Sequence, residues 1–302
     1  MENDIKAEEQ LVSVVIPTYK RAHIVSSAIQ SVLKQSHHNL EVLVVDDCSP
    51  DDTEKVVQGI RDNRIRYIRH DVNKGLPAVR NTGIRAASGD YIAFLDDDDA
   101  WRADKLKKQL ILLQIYDAVL CMGASNGYPM RVHKGESITL DDLKRGSFNP
   151  SSLVARSFVF RNIKFDENLR QGEDWDGFIQ IAKRYSIGWV SEPLLIYNQN
   201  SADRMTDEKK NLSGPDLEKR AAMLYKHRKF FGEKWFKYHL AGALLAYIGS
   251  RENKVNGIQY AVDRCGLYAV ILNIRDRILV RLQRRFWYLK WKLKPIKLSS
   301  LD

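Results

Sequence analysis

The chain has 302 residues, 44% of them hydrophobic and 28% charged, which is apolar material enough for one large or two smaller globular domains and excludes a disordered chain. Its net charge of +10 is concentrated: from Arg275 through Lys297 nine basic residues meet one acid, Asp276, a local +8 that leaves only +2 for the remainder. The three cysteines, Cys48, Cys121 and Cys265, are odd in number and far apart, which excludes a disulfide scaffold or a cysteine metal knuckle and fits a reduced, cytoplasmic setting.

The start, Met1 to Gln10, is polar and mostly acidic, so no signal peptide is expected. The best apolar run, Leu110 to Met122, is short and broken by Gln114 and Asp117, so no transmembrane span is expected either. Val12 to Ile16 is a β-branched run ending at Pro17-Thr18-Tyr19, which reads as a buried first strand. Ile24, Val25, Ala28, Ile29, Val32 and Leu33 then recur at helical spacing, giving a helix to about Gln35. Glu41 to Val45 is a second strand, and it ends in Asp46-Asp47-Cys48-Ser49. Asp52 is expected to cap a helix running to about Arg61. Ile65 to Arg69 is a third strand, and Leu76 to Ala87 a helix stopped by Ser88-Gly89.

Tyr91 to Leu95 is the central strand, and it stops in four carboxylates, Asp96 to Asp99. Adjacent negative charges at the end of a hydrophobic strand are expensive unless something positive joins them. A hard divalent cation such as Mg²⁺ or Mn²⁺ is the simplest candidate, since it takes one or two carboxylates together with substrate phosphates. The bland alternative is a solvated acidic turn capping a helix that starts near Arg102. Strands alternating with helices over the first 100 residues imply a parallel sheet with helices on both faces, whose ligands bind beyond the carboxyl ends of the strands. Two strands here end in acids on that rim, which favours a nucleotide–metal site. No Gly-x-Gly-x-x-Gly follows the first strand, and no phosphate-binding Gly-Lys-Ser/Thr is present.

Further on, Leu106 to Gln114 reads as a helix, Ala118 to Met122 as a strand, and Gly123 to Gly135 as a loop over the site. Asn149 to Val154 is a turn into a strand. Gln171-Gly172-Glu173-Asp174-Trp175-Asp176 opens an amphipathic helix, where acids also complement the macrodipole. Ser191 to Tyr197 reads as a closing strand, and from Asp207 the pattern is helical.

These segments resemble the family 2 inverting glycosyltransferases of the GT-A fold. The resemblance is carried by Ser13-Val14-Val15-Ile16-Pro17-Thr18-Tyr19-Lys20-Arg21, by Val44-Val45-Asp46-Asp47-Cys48-Ser49, by Asn73-Lys74-Gly75 with Ala78-Val79-Arg80-Asn81, and by Ser88-Gly89-Asp90 leading into Asp96-Asp97-Asp98-Asp99. It covers about Val12 to Ser201. It implies a catalytic domain over residues 1–205, a mainly parallel sheet flanked by helices, followed by a helical extension over residues 206–302. It also implies that Pro17 and Tyr19 pack on the nucleotide base, that Asp47 meets the uracil ring with Asp46 structural beside it, and that Arg80 lies near the phosphates. Asp97 would face the ribose and Asp98 the metal, with Asp96 and Asp99 as alternatives because the extra acids blur the register. Asp174 would be the general base, with Glu173 the runner-up. Relatives place a histidine after the tyrosine matched by Tyr197; Asn198 to Ser201 has none, which argues against a third protein ligand there and leaves Arg204 as a possible reach to the phosphates. Trp175 fits equally an acceptor sugar platform or core packing.

The implied reaction moves one sugar from a UDP-sugar, with Mn²⁺ or Mg²⁺, to a lipid-linked (polyprenyl diphosphate) oligosaccharide, with galactose or glucose favoured by a general likeness to enterobacterial exopolysaccharide transferases of the amylovoran and colanic-acid kind. The absence of many transmembrane segments favours single transfer over processive polymerisation. The final stripe, Ile274, Ile278, Leu282, Phe286, Leu289 and Leu293 with Arg277, Arg281, Arg284 and Lys292 beside it, predicts a basic amphipathic helix. Residues 275–297 are therefore expected to lie on the anionic cytoplasmic face of the inner membrane; the alternative is a helix packed on its domain. No nucleic acid partner is expected. A sugar nucleotidyltransferase and a non-catalytic nucleic-acid-binding module are the competing classes.

Overall fold

In the computed structural model the chain divides into two units, Met1–Arg204 and Met205–Asp302. The structure describes residues 10–125, 128–130, 132–197, 212–246, 248 and 254–293, with only the backbone given for 128 and 281–293.

The first unit is built on a mixed sheet. Strands β1 (Val12–Thr18), β2 (Leu40–Asp46) and β4 (Tyr91–Phe94) are buried at every residue, which is why their sequences are largely apolar, interrupted inside the strands only by Ser13 and Glu41, which hydrogen-bond each other at 2.7 Å. Strand β3 (Ile65–Arg69) is half-buried at the sheet edge. These four run parallel in the order β3-β2-β1-β4. Beyond β4 the sheet changes character. Strand β8 (Val154–Arg156) pairs antiparallel with β4 and with β6 (Ala118–Ser125), and β6 pairs parallel with β9 (Ile187–Ile196). Two-residue strands β5 (Ala100–Trp101) and β7 (Tyr128–Pro129) add antiparallel edges on β9 and β6. The antiparallel half is not evident in the sequence, because β5, β7 and β8 are too short to show a period.

Helix α1 (Val25–Leu33) buries Val25, Ala28, Ile29 and Val32, the spacing expected of it. Helix α2 (Thr53–Gln58) ends three residues before the expected Arg61. Asp52 occupies its cap position without making a cap hydrogen bond, because its carboxylate is taken by Lys55 at 2.7 Å. Helix α3 (Leu76–Ala86) crosses β1 closely enough that a Cβ on Gly83 would lie 2.2 Å from Val15 Cγ1. We expect Gly83→Ala to destabilise the first unit by about 1–3 kcal/mol, read as a lowered urea midpoint with an unchanged slope. Helix α4 (Lys105–Leu112) starts later than Arg102, with Asp104 at its cap position, and β5 lies between it and the four aspartates. The acidic cluster therefore does not cap that helix. Of the expected loop, Gly123 to Ser125 continues β6 and Tyr128–Pro129 pairs back onto it, while residues 126, 127 and 131 lie outside the described residues. Helices α5 (Leu140–Arg145), α6 (Val159–Asn162) and α7 (Glu173–Ala182) complete the unit, with a 3₁₀ turn at Pro150–Ser152.

The second unit is helical among its described residues: α8 (Gly214–Arg220), α9 (Ala222–Lys226), α10 (Arg228–Leu244, kinked at Gly232), α11 (Lys254–Cys265) and α12 (Leu267–Leu293). Leu224, Phe231, Leu240, Leu244 and Leu245 form its core, and Glu218 ties α8 to α11 by accepting from Tyr260 at 2.5 Å and from Arg264. No helix of the described residues is long and apolar enough to cross a membrane.

Candidate active site

The parallel registers bring three strand ends together. Thr18 pairs with Asp46, Val15 pairs with Phe94, and Leu95 N–H donates to the Val15 carbonyl at 3.0 Å. Pro17 and Tyr19, Asp46 and Asp47, and Asp96 to Asp99 therefore share one rim. Pro17 is buried in β1; Tyr19 is exposed and carries the Lys20 ammonium 5.1 Å from its ring centroid. Lys20 and Cys48 both have positive φ, at 57° and 64°, so the two loops leave their strands by sharp turns.

Asp46 is wholly buried. Its carboxylate accepts from Ser49 N–H at 2.9 Å, Ser49 Oγ at 2.6 Å, Tyr67 Oη at 2.5 Å and Arg69 at 3.2 Å. This acid builds the loop. Asp47 accepts from His70 and from the backbone of Lys74 and Gly75, which shapes the turn into α3.

The four aspartates differ sharply in their surroundings. Asp96 accepts from Arg80 at 3.0 Å. Asp97 lies 3.8 Å from Arg21 Nε; burial, with the charges of Asp98 and Asp96, pushes its carboxyl up to about 7. Asp98 is half-buried on the turn. Asp99 is buried. It accepts from Ser151 at 2.8 Å and Asn149 at 3.2 Å through Oδ2, while its Oδ1 has no hydrogen-bond donor. Burial, with Asp96 and Asp98 nearby, pushes it up to about 8. Ser151 is the hinge of this turn, because its hydroxyl also accepts from Asp96 N–H at 3.0 Å. Behind it, Trp101 Nε1 donates to the Ser151 carbonyl at 2.8 Å, and the buried Lys105 ammonium sits 3.8 Å over the Trp101 ring. Ser151, Asn149 and Lys105 were not distinguishable as site residues from sequence; the only local signal was the Asn-Pro-Ser turn.

Arg80 joins this turn to the second acidic motif. It is 1% exposed, inside the fold and not on the helix surface. One arm of the guanidinium donates to Asp96 and the other to Glu173 at 2.9 Å, and the plane faces the Phe165 ring at 5.3 Å. Burial opposes its charge, but Asp96, Glu173 and Asp174 outweigh that and hold it protonated. Asp174, one position on in α7, is pushed upward by burial and by the neighbouring Glu173 charge, with Arg80 opposing. Its carboxylate accepts from Trp175 N–H and borders a small space lined by Pro150, Leu153, Phe165 and Phe178. Trp175 Nε1 donates to the Leu143 carbonyl at 2.8 Å, which ties that ring to α5. The expected residues after Tyr197, including Arg204, lie outside the described residues.

The donor set fits a hard cation. Among the described residues no three His, Cys, Asp or Glu side chains converge as a cage. The acidic turn instead crowds carboxyls whose ionisation is opposed first by burial and then by one another, a cost that a bound cation would relieve, and Asp99 Oδ1 is a buried acceptor without a donor among the described residues. Such a turn can supply one or two oxygens and leave the rest to substrate phosphates.

The model of the family "Glycosyl transferase family 2" matches residues 13–169. An uncharacterized glycosyltransferase of Rickettsia felis is 35% identical over 198 residues, covering 61% of this chain and 32% of that protein, so the match spans about a third of its length. The putative colanic acid biosynthesis glycosyl transferase WcaA of Escherichia coli K12 is 31% identical over 219 residues, covering 68% and 78%. The Escherichia coli enzyme WfgD, a UDP-Glc:alpha-D-GlcNAc-diphosphoundecaprenol beta-1,3-glucosyltransferase, is 43% identical over 106 residues, covering 35% and 42%. Among solved structures, S. aureus TarS 1–349 with UDP-GlcNAc superposes with a TM-score of 0.60 at 21% identity, covering 83% of this chain and 70% of that one. The mannosyltransferase PcManGT of Pyrobaculum calidifontis with GDP-Man and Mn²⁺ gives 0.58 at 18% identity, covering 91% and 82%. At these identities the two structures show a shared GT-A fold.

Proposed function

The chain belongs to glycosyl transferase family 2, and on that premise we propose that it is an inverting, metal-dependent transferase moving one sugar from a UDP-sugar to a lipid-linked oligosaccharide in bacterial polysaccharide biosynthesis. The observation that carries this is Arg80, which joins the acidic turn after β4 to the acidic start of α7 in one buried charge network. A donor-binding turn and a base-bearing helix are thereby held in fixed relation. Pro17, Tyr19 and Asp47 take the base, Asp97 the ribose, and Asp98 the cation. Bound there, Mn²⁺ or Mg²⁺ would neutralise the charge developing on the diphosphate leaving group. Arg80 lies beneath the phosphates and keeps Asp96 and Glu173 in place.

The acceptor hydroxyl is a poor nucleophile until its proton is removed. Glu173 accepts from Arg80, which holds its carboxylate in the charge network. Among the described residues Asp174 has no cationic hydrogen-bond partner, and its pKa is raised, so it takes the proton as the hydroxyl oxygen bonds to C1 and the C1–phosphate oxygen bond breaks. Attack opposite the leaving group inverts the anomeric centre. WfgD supports a diphosphoundecaprenol-linked acceptor and a UDP-hexose donor for this chain. A nucleotide-sugar binding and hydrolysis screen with Mn²⁺, Mg²⁺ or a chelator tests the reading. Metal-dependent binding of a UDP-sugar is expected. Consumption of UTP with release of pyrophosphate would instead indicate a nucleotidyltransferase.

The same proposal places the enzyme on the cytoplasmic face of the inner membrane. In α12 the side chains of Leu267, Ile271, Ile274 and Ile278 follow helical spacing on one face and are exposed, while Ala269, Val270 and Asn273 are buried on another. The stripe thus starts a full two turns before Arg275, and its described part is uncovered by its own unit. The side chains of 281–293 and the whole of 294–297 lie outside the described residues. The sequence charge of the segment suits anionic lipid. Phosphatidylglycerol vesicles are expected to sediment the full chain more than phosphatidylcholine vesicles do, with the difference lost in high salt. Changing Leu267, Ile271 and Ile278 to serine is expected to weaken that binding at least about tenfold. Equal recovery on both vesicle types would overturn the assignment.

A further inference from the structure

Asp47 is held by a relay that reaches from the rim of the sheet to the outside of α3. Its Oδ1 accepts from His70 Nδ1 at 2.8 Å and from Lys74 N–H at 2.8 Å; its Oδ2 accepts from Gly75 N–H at 2.7 Å. Gly75 reaches this position with φ +89°, a conformation that favours glycine. The second nitrogen of the same ring, His70 Nε2, lies 2.9 Å from Thr82 Oγ1, and Thr82 Oγ1 accepts from the exposed Arg85 at 2.8 Å.

A carboxylate oxygen only accepts, so His70 Nδ1 carries a proton and donates it to Asp47. Nε2 shares a hydrogen bond with the Thr82 hydroxyl, and Arg85, which has no acceptor, donates into the same oxygen. His70 is 6% exposed and Asp47 3%, so neither group has much water with which to exchange these bonds.

A carboxylate offers about four acceptor positions, two on each oxygen. Three on Asp47 are filled from its own chain, both on Oδ1 and one on Oδ2. One position on Oδ2 remains. Uracil presents a single N–H between two carbonyl oxygens and needs one acceptor. Guanine presents a ring N–H and an amino group side by side, and a carboxylate recognises that edge with both oxygens. With Oδ1 filled, Asp47 cannot make the second bond, and the guanine amino group is left without its acceptor.

We propose that His70 and Thr82 are positioning residues that fill one oxygen of Asp47 and so make the base site select a uracil ring over guanine. The inference rests on the reading that Asp47 meets the base. His70 touches no substrate; it acts through Asp47.

The test is calorimetric binding of UDP, N3-methyl-UDP and GDP to the full chain in excess Mg²⁺. The wild type is expected to bind UDP at least about tenfold tighter than either analogue, the loss of one hydrogen bond to a charged group. His70→Leu is expected to shrink the UDP-to-GDP ratio to within about threefold while the UDP-to-N3-methyl-UDP ratio, which reads the bond to Oδ2, stays near that of wild type, and His70→Asn, whose side-chain amide can donate from near the Nδ1 position, to recover most of the selectivity against GDP. A folded His70→Leu protein with an undiminished UDP-to-GDP ratio overturns the relay. If that variant fails to fold, Thr82→Val carries the test: the ring loses its Nε2 partner and the UDP-to-GDP ratio should fall, and a ratio unchanged from wild type overturns the proposal. If the wild type itself does not distinguish UDP from N3-methyl-UDP, the assignment of Asp47 to the base fails, and that outcome is separate from a failure of the relay.

Discussion

Asp98→Ala is expected to abolish metal-supported UDP-sugar binding and to lower kcat/KM by about a thousandfold or more, the loss of a transition-state contact worth several kcal/mol. The choice of Asp98 follows the family resemblance, and the surroundings of its three neighbours supply the contrast variant. Asp96 is spent on Arg80 at 3.0 Å. Asp99 is 3% exposed and ties the turn to Ser151 and Asn149. Asp97 is drawn toward Arg21. Asp98 is half-buried on the same turn, and the metal role proposed for it comes from the family resemblance. The contrast variant is Asp99→Asn, which keeps the shape and the Ser151 bond while removing a carboxyl that could ionise onto a cation. It is expected to keep metal-dependent binding and to lose less than about tenfold in activity. Isothermal titration with a UDP-sugar, with and without Mn²⁺, reads both. If Asp99→Asn loses the metal dependence and Asp98→Ala keeps it, the ligand is Asp99 and the assignment is wrong.

Much of the first unit could be read because its buried parallel strands are largely apolar runs and two of them end in acids. The ends of β2 and β4 announce themselves as Asp46-Asp47 and Asp96 to Asp99, and their adjacency follows once the strands are parallel around β1. What holds the site could not be read, because its bonds span long separations. Arg80 meets Asp96 across 16 residues and Glu173 across 93, and nothing in the amphipathic pattern of α3 distinguishes an arginine at the centre of the site from one on a helix surface. Ser151 reaches Asp99 across 52 residues from a turn that local propensity explains completely. His70 is a lone histidine after a strand, and its role emerges only when Asp47 and Thr82 are placed on either side of it. Local propensity marks turns and periods, but these partners meet only through the tertiary fold.

Asp174→Asn is expected to lower kcat by about a hundredfold to ten-thousandfold, the usual share of a general base, while the dissociation constant for the UDP-sugar changes little. That split separates a base from a structural acid, since a collapsed site would lose donor binding as well. Glu173→Gln keeps an oxygen for Arg80 and should lose far less of kcat; the reverse ranking would assign the base to Glu173. The pH dependence gives a second, independent reading. The reaction needs Asp174 ionised, so kcat/KM should rise with pH through its titration and then level. Burial raises that pKa first, and the Glu173 charge raises it further. Removing the Glu173 charge therefore lowers it, and the acid limb of the Glu173→Gln profile should move to lower pH. Arg80 acts with the opposite sign, so Arg80→Met should move the limb to higher pH in whatever folded protein survives the loss of a buried cation between two carboxylates. Opposite displacements from two residues that contact each other are not what general destabilisation produces. They require that the titrating group lie within reach of both charges, as Asp174 does at the start of α7.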